Sequence, residues 1–286
     1  MARRTAIAAQ VTGPQVISTI LDFDDEAGTF GSREVITVSS GAKFGGDYVM
    51  RTLTSQVRAA IRRAKHDDVV GIGVATVGEV DAAMGRILAD RVIRGWSGME
   101  LKARLEEACE LPVRVVNAAE AHAYGEAHWG TGRGAGKVLV ADIGAEASMA
   151  VASDDGIELL PVGDLASVAS TGGIVANYIE RGGDRVYHHD KRRPWGYAMT
   201  LVEVDRRAHE DDDERAIACL EDAGHALGEK ITAACKGKDI AKVVVSGAVA
   251  ECGPILLDAA HKRAQVSIEP SSLGRHAALI GAVAGL

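Results

Sequence analysis

Residues 112–134, Pro-Val-Arg-Val-Val-Asn-Ala-Ala-Glu-Ala-His-Ala-Tyr-Gly-Glu-Ala-His-Trp-Gly-Thr-Gly-Arg-Gly, constrain the fold of this chain more than any other stretch. Val113–Val116 is an apolar run of strand character that stops at the polar Asn117. A helix of small residues follows from Ala118, and Gly130, Gly132 and Gly134 punctuate what comes next. Strand, helix and glycine-rich turn in direct succession specify a β–α unit.

The same alternation runs along the rest of the chain. Residues 5–22 read as a strand, a tight turn at Thr12-Gly13-Pro14 and a second strand over Val16–Leu21, and 34–38 adds a short β run. Val49, Leu53, Val57 and Ile61 recur at helical spacing and predict a helix over 47–65. Residues 69–77 are continuously apolar, as in a strand covered on both faces. An amphipathic helix over 98–110 ends before Leu111-Pro112. In the second half Val138–Ala141 and Ser148–Ala152 flank a turn after Asp142-Ile143-Gly144. Helices are predicted over 170–181, 214–235 and 254–264, a strand over Val243–Ser246, and an apolar helix over 273–286. Strand–turn–strand at 6–21 and again at 138–152 is an approximate internal duplication. The alternation itself implies an α/β class and no particular topology.

Composition narrows the function. A chain of 286 residues has room for two domains or one large one. Aromatics are only 4%, so the core must be packed by Val, Ile, Leu and Ala. A net charge of −8 argues against nonspecific binding to nucleic acid or anionic membranes, which needs a basic face. No apolar run approaches the ~20 residues of a membrane span, and the N-terminus lacks a signal-peptide pattern, so the cytoplasm is the expected location. Cys109, Cys219, Cys235 and Cys252 lie far apart, without a CxxC pair, and read as reduced thiols rather than zinc ligands. The segment 181–215 is polar and charged; its run Glu210-Asp211-Asp212-Asp213-Glu214 reads as the solvated start of a helix. His188-His189-Asp190 reads as loop, since adjacent extended residues point to opposite sides, and Lys191-Arg192-Arg193 as solvated surface.

The stretch 112–134 resembles the core of the ROK family of sugar kinases, repressors and related proteins. Gly71 to Gly85, Gly95-Trp96-Ser97-Gly98, Val168 to Ile174, Cys219 to Gly228 and the glycine motif at Ser246-Gly247-Ala248 extend the resemblance over most of the chain. It implies the actin-like ATPase (ribonuclease H-like) fold: two similar lobes around a cleft, here a small N-terminal domain over 1–117, with the helix at 273–286 packing back on it, and a large domain over 118–272. It also implies a nucleotide side at Gly13, Asp142, Gly144 and Gly247, and a carbohydrate side at Asn117 and Asp164.

The departures from the family pattern fall on functional positions. Active ROK kinases carry, after that Asn, an Asp that takes the proton from the sugar hydroxyl; here it is Ala118. The first phosphate hairpin has Gln10 in place of the Asp, and Pro14 removes a backbone N–H. The second hairpin, Asp142-Ile143-Gly144-Ala145-Glu146-Ala147-Ser148, has lost its glycine run, and Glu146 brings negative charge toward any phosphate. Val92 replaces an expected Asn, and the Glu-xx-His clamp and zinc motif are missing. A missing base alone costs roughly 10²–10⁴ in rate. Glu120 and His122 are candidate replacements, but residues two apart on a helix point in nearly opposite directions, so they cannot act as one dyad.

These observations predict a non-catalytic ROK-like protein, a pseudo-kinase acting as a ligand-binding or regulatory module. An ATP-dependent sugar kinase with a rearranged site and a dimeric assembly protein are the alternatives. ATP and magnesium are expected only if a nucleotide site survives, and no zinc is expected. The expected partners are a second copy in a homodimer, a protein and a carbohydrate. Direct DNA binding is not expected, because the chain begins at its first hairpin.

Overall fold

The structure, a computed structural model, describes residues 4–24, 29–65, 69–188 and 196–286. His189, Asp190 and the triplet Lys191-Arg192-Arg193 lie outside them. The chain divides into two compact units, residues 1–130 with 275–286, and residues 131–274.

The first unit holds strands β1 (Arg4–Val11), β2 (Gln15–Asp24), β3 (Thr29–Ser32) and β4 (Ile36–Ser39), then helix α1 (Gly46–Ala64). Strand β5 (Val69–Thr76), the hairpin β6 (Glu79–Asp81) and β7 (Arg86–Ala89), helix α2 (Leu101–Cys109), strand β8 (Val113–Asn117) and helix α3 (Ala118–His128) follow. The C-terminal helix α9 (His276–Val283) completes it. The sheet runs β3-β2-β1-β5-β8, with β4 also pairing β2. Its first three strands are antiparallel neighbours, and β1, β5 and β8 run parallel. The helical stripe Val49, Leu53, Val57 and Ile61 of α1 packs into the core beside Ile7, Ile72 and Val74. Each such side chain contributes about 1.5–3 kcal/mol on burial. Trp96 is fully buried there and donates its indole N–H to Thr76 Oγ1 at 3.1 Å.

The second unit holds β9 (Val138–Ile143), β10 (Ala147–Ser153), β11 (Gly156–Leu160), α4 (Leu165–Ala169), α5 (Thr171–Glu180), the short pair β12 (Val186–Tyr187) and β13 (Tyr197–Ala198), α6 (Leu201–Glu210), α7 (Glu214–Cys235), β14 (Lys242–Ser246), α8 (Pro254–Arg263) and β15 (Ile268–Pro270). Its sheet runs β11-β10-β9-β14-β15, antiparallel through β11, β10 and β9 and parallel through β9, β14 and β15. Both units therefore follow one path: three antiparallel strands, then two parallel ones. The duplication in the sequence is a duplication of topology, and the fold is that of the actin-like ATPases.

Small residues let helices touch in both units. In the first, Gly125 of α3 faces the backbone of Ala277 and Gly281 of α9 faces Ala121, so closely that a Cβ at either glycine would collide with backbone. The alanine-rich character of α3 is thus a packing requirement. That contact sets α3 within the first unit, so the division falls after residue 130 rather than at 117. In the second unit Gly224 and Gly228 of α7 do the same against α8.

Candidate functional site

Three of the residues expected on the nucleotide side converge in the second unit. Parallel strands β9 and β14 pair in register, with Asp142 opposite Ser246, so their C-terminal ends deliver Asp142, Gly144 and Gly247 to one place. Gly247 has φ +82, and a Cβ there would collide with the Ile143 carbonyl and lie 2.7 Å from Asp142 Oδ1. Only glycine fits so close a backbone approach in that conformation. Gly144, by contrast, faces open space: its nearest neighbour is the Ala248 nitrogen at 3.9 Å. The turn is closed by Gly144 N–H donating to Glu146 O at 2.8 Å, and is tied to α5 by Thr171 N–H donating to Gly144 O at 2.8 Å. Ser170 caps that helix, accepting from Gly173 N–H. An opening at the carboxyl ends of parallel strands is where α/β sheets receive ligands. The carboxylate of Asp142 suits a hydrated cation, and the backbone nitrogen of Ala248 beside Gly144 suits an anionic oxygen. Glu146 stands exposed at the tip of the same turn.

The fourth residue, Gly13, has a different setting. The turn between β1 and β2 is buried at Gly13, with Val92 Cγ1 2.6 Å from where its Cβ would be. Ser40 Oγ donates to Gly13 O at 2.7 Å, and Ser40 N–H donates to Pro14 O at 2.9 Å. Thr12 Oγ1 accepts from Gln15 N–H at 3.1 Å. Val92 is thus an apolar cover on the turn, and the loop that carries it is shaped by Asp90, whose carboxylate accepts from Val92 and Ile93 N–H. Gly13 lies beneath this cover.

Asn117, expected to touch substrate, is spent on the scaffold. Its Oδ1 caps α3, accepting from Ala119 N–H at 2.8 Å and Glu120 N–H at 3.3 Å, and its amide donates to Gly78 O at 2.7 Å. One amide hydrogen is all that remains of its bonding capacity. Ala118 packs its methyl against Ala75, Val116, Ala121, Ala278 and Ala282. The charge of Arg114 acts on Glu120, while the Arg114 guanidinium itself donates to the Gly281 and Ala282 carbonyls at 2.8 and 3.0 Å. Burial raises the Glu120 carboxyl above its ordinary value, the Arg114 charge offsetting part of the rise. His122 is buried at 5% exposure and engaged with its surroundings. Glu126, which carries no motif signal, is fully buried; Gly130, four residues on, covers it so closely that a Cβ there would strike Glu126 Oε2. The spacing Glu126–Gly130 is its only trace in the sequence.

Asp164 lies exposed at the start of α4 and makes no side-chain cap. Its carbonyl accepts from Ser167 Oγ at 2.7 Å. The neighbouring Gly163 approaches Lys230 of α7. Among the described residues no three His, Cys, Asp or Glu side chains are placed to share a metal ion. All four cysteines are free thiols, and burial pushes Cys219 up to about 11 and Cys252 to about 12. Among the described residues no helix is long and apolar enough to cross a membrane.

Two three-plus-two sheets, with a turn at the carboxyl end of the second, define an actin-like ATPase scaffold. Within that class the ROK family model matches residues 40–157, and the chain resembles the ROK family there. Solved structures share the fold over nearly the whole chain. A ROK family glucokinase from Streptomyces griseus, in complex with glucose and AMPPNP, is 19% identical with a TM-score of 0.77, covering 97% of each chain. A ROK hexokinase from Thermus thermophilus is 22% identical with a TM-score of 0.70, covering 97% of this chain and 96% of its own. A ROK family transcriptional regulator, a homolog of the E. coli MLC protein, is 15% identical with a TM-score of 0.76, covering 97% of this chain and 76% of its own. No curated protein sequence matches the chain.

Proposed function

We propose that this chain is a non-catalytic, ROK-like pseudo-kinase: a ligand-binding or regulatory module that keeps a nucleotide or phosphate site without transferring the phosphoryl group. One observation carries the reading. Ala118 follows Asn117 at the start of α3, its methyl packed among alanines, and the carboxyl of Glu126, further along the same helix, is fully buried against Gly130. Phosphoryl transfer depends on positioning and charge, and a sugar hydroxyl with no acceptor for its proton is a poor nucleophile. The cover over Gly13 and the Gln10 substitution support the same reading. The ligand is then a carbohydrate, a nucleotide or both, and the working form is a cytoplasmic homodimer that passes its state to a protein partner.

The test is a thermal shift with magnesium and ATP beside a coupled turnover assay over hexoses and N-acetylhexosamines. Saturation at about a hundred times Kd stabilises by about 2.7 kcal/mol, a shift of several degrees. Stabilisation without turnover is the expected outcome. Robust sugar-dependent turnover that is lost in Asp142→Ala would overturn it in favour of the second reading, a sugar kinase with a rearranged site. That reading draws on the convergence of Asp142, Gly144 and Gly247 and on the glucokinase neighbour. Absence of any small-molecule binding would leave a dimeric assembly role.

A further inference from the structure

One exposed helix face is out of keeping with an acidic chain. Along α1 and the turn before it, Lys43, Phe44, Tyr48, Arg51, Ser55, Arg58 and Arg62 all reach solvent. Phe44 is 61% exposed and Tyr48 39%, high for aromatic rings in a chain with so few of them. The two rings lie against each other at a 45° tilt, with centroids 5.0 Å apart. Lys43 Nζ sits 4.9 Å from the Phe44 ring and the Arg51 guanidinium 5.4 Å from the Tyr48 ring. Tyr48 lies over Gly41, where a Cβ would collide with it, so the ring is held in place.

The cations on this face form no ion pair among the described residues. Two carboxylates near it are engaged with other cations: Asp47 with Arg104 at 2.9 Å and Glu34 with Arg63 at 3.5 Å. Arg58 donates to the Ala108 carbonyl at 2.9 and 2.6 Å and keeps its charge unneutralised. Arg51, Arg58 and Arg62 are spaced by seven and four residues, so they line one side of the helix over about 16 Å. Two shallow hollows flank them: one of about 350 Å³ beside Arg51, Ser55, Arg58 and Arg62, and one of about 440 Å³ beside Pro14, Lys43, Phe44 and Tyr48.

We infer that this face of α1 docks an acidic segment of a partner protein, with carboxylates spaced to meet Arg51, Arg58 and Arg62 and an apolar or aromatic side chain seated against Phe44 and Tyr48. Four unpaired cations on a chain of net charge −8 form a local field that a carboxylate-bearing peptide complements. The aromatic pair supplies the desolvated anchor that a charge contact alone lacks. A nucleic acid is disfavoured: about four phosphate contacts give weak binding at physiological salt, and the rest of the surface repels a polyanion. A second copy is disfavoured as well. The acidic run at 210–214 is largely committed within its own unit: Arg206 holds Glu210 and Asp211, and Tyr178 and Arg215 hold Asp213. The inference does not rest on the small-molecule reading above.

The experiment selects random 16-residue peptides on the immobilised full chain, with the triple variant Tyr48→Ser/Arg51→Glu/Arg62→Glu as counter-selection. Enriched peptides are then measured in solution by fluorescence anisotropy at two salt concentrations. The expected peptides carry three or more Asp or Glu and at least one apolar anchor, bind at least tenfold more weakly to the variant, and weaken with salt. Enrichment without acidic bias, equal binding to the variant or no enrichment would overturn the inference. So would inorganic polyphosphate or oligo-dT binding the same residues tenfold more tightly than any peptide. Circular dichroism and the magnesium–ATP shift of the triple variant, expected unchanged, separate failure of this face from misfolding or failure of the nucleotide site.

Discussion

The two units follow the same strand path and treat the turn between their first two strands in opposite ways. In the second unit the turn at Gly144 opens beside Gly247, and its backbone bonds tie it to α5. In the first unit Gly13 is covered by Val92, and the Gly13 and Pro14 carbonyls are consumed by Ser40. A duplicated topology therefore supplies two places for a phosphate loop and obliges neither to remain one. What separates them is local: a side chain from a neighbouring loop fills one turn and leaves the other vacant.

The largest expected effect tests the vacant turn. Gly247→Val places a branched side chain at φ +82 against the Ile143 carbonyl and Asp142. It should cost about 3 kcal/mol or more in urea unfolding of the second unit, from strain and overpacking together, and abolish the magnesium–ATP shift. Gly13→Ala is the paired control: the added methyl meets only Val92 Cγ1, a side chain 44% exposed and free to move, so the loss should stay below about 1 kcal/mol. Equal costs at the two glycines would remove the contrast.

The second unit carries an ion network centred on Glu203. Glu203 is 8% exposed and accepts from Arg206 and Arg207. Hydrogen bonds from Arg206, and then from Arg207, hold its carboxyl below the ordinary 4.5 despite burial. Burial pushes Asp213 up, but the hydrogen bonds from Tyr178 and Arg215 outweigh it and leave the carboxyl lowered. For depressed carboxyls the folded state binds fewer protons than the unfolded one. The stability they contribute is present above about pH 4.5 and is lost as pH falls through their folded values. Thermal unfolding of the wild type should therefore drop in acid, and Glu203→Gln should lose about 2 kcal/mol near neutral pH while flattening that acid dependence.

Ala118→Asp asks whether the first unit lacks only its base. The new carboxyl enters a cluster of alanines and should cost about 1 kcal/mol. Turnover should stay absent, because the cover over Gly13 is untouched; sugar-dependent turnover in this variant alone would show that the covered turn is no obstacle. The smallest effect is expected for Glu120→Gln. A carboxyl raised by burial makes the charged form unfavourable in the folded protein, so its loss should leave the melting temperature at pH 7 unchanged or slightly higher. A drop of several degrees would show that the attraction of the Arg114 charge outweighs the burial.

Much of this architecture was legible because periodicity and burial agree. The strands at 69–76 and 113–117 and the helices at 46–64 and 214–235 carry their own patterns, and they fold as read. Short edge strands such as Thr29–Ser32 and Ile268–Pro270, and the helix Leu201–Glu210 within a charged segment, carry too little pattern to announce themselves. Of the acidic run, Asp213 does start a helix, accepting from Arg215 N–H as its cap, while Glu210 and Asp211 close the helix before it by pairing with Arg206.

The candidate site divides the same way. Residue identities alone told that Ala118 carries no acceptor, that Pro14 has no N–H and that Gly144 and Gly247 carry no side chain, since each is a property of one residue type at one position. The tertiary structure decided everything that depends on a second residue distant in sequence. Val92 comes to lie on Gly13, Asn117 reaches Gly78, and parallel pairing of β9 with β14 brings Asp142 to Gly247. Chemistry is carried by the side chain and read in the letter; proximity is carried by the fold and appears only when strands far apart in the chain are hydrogen-bonded side by side.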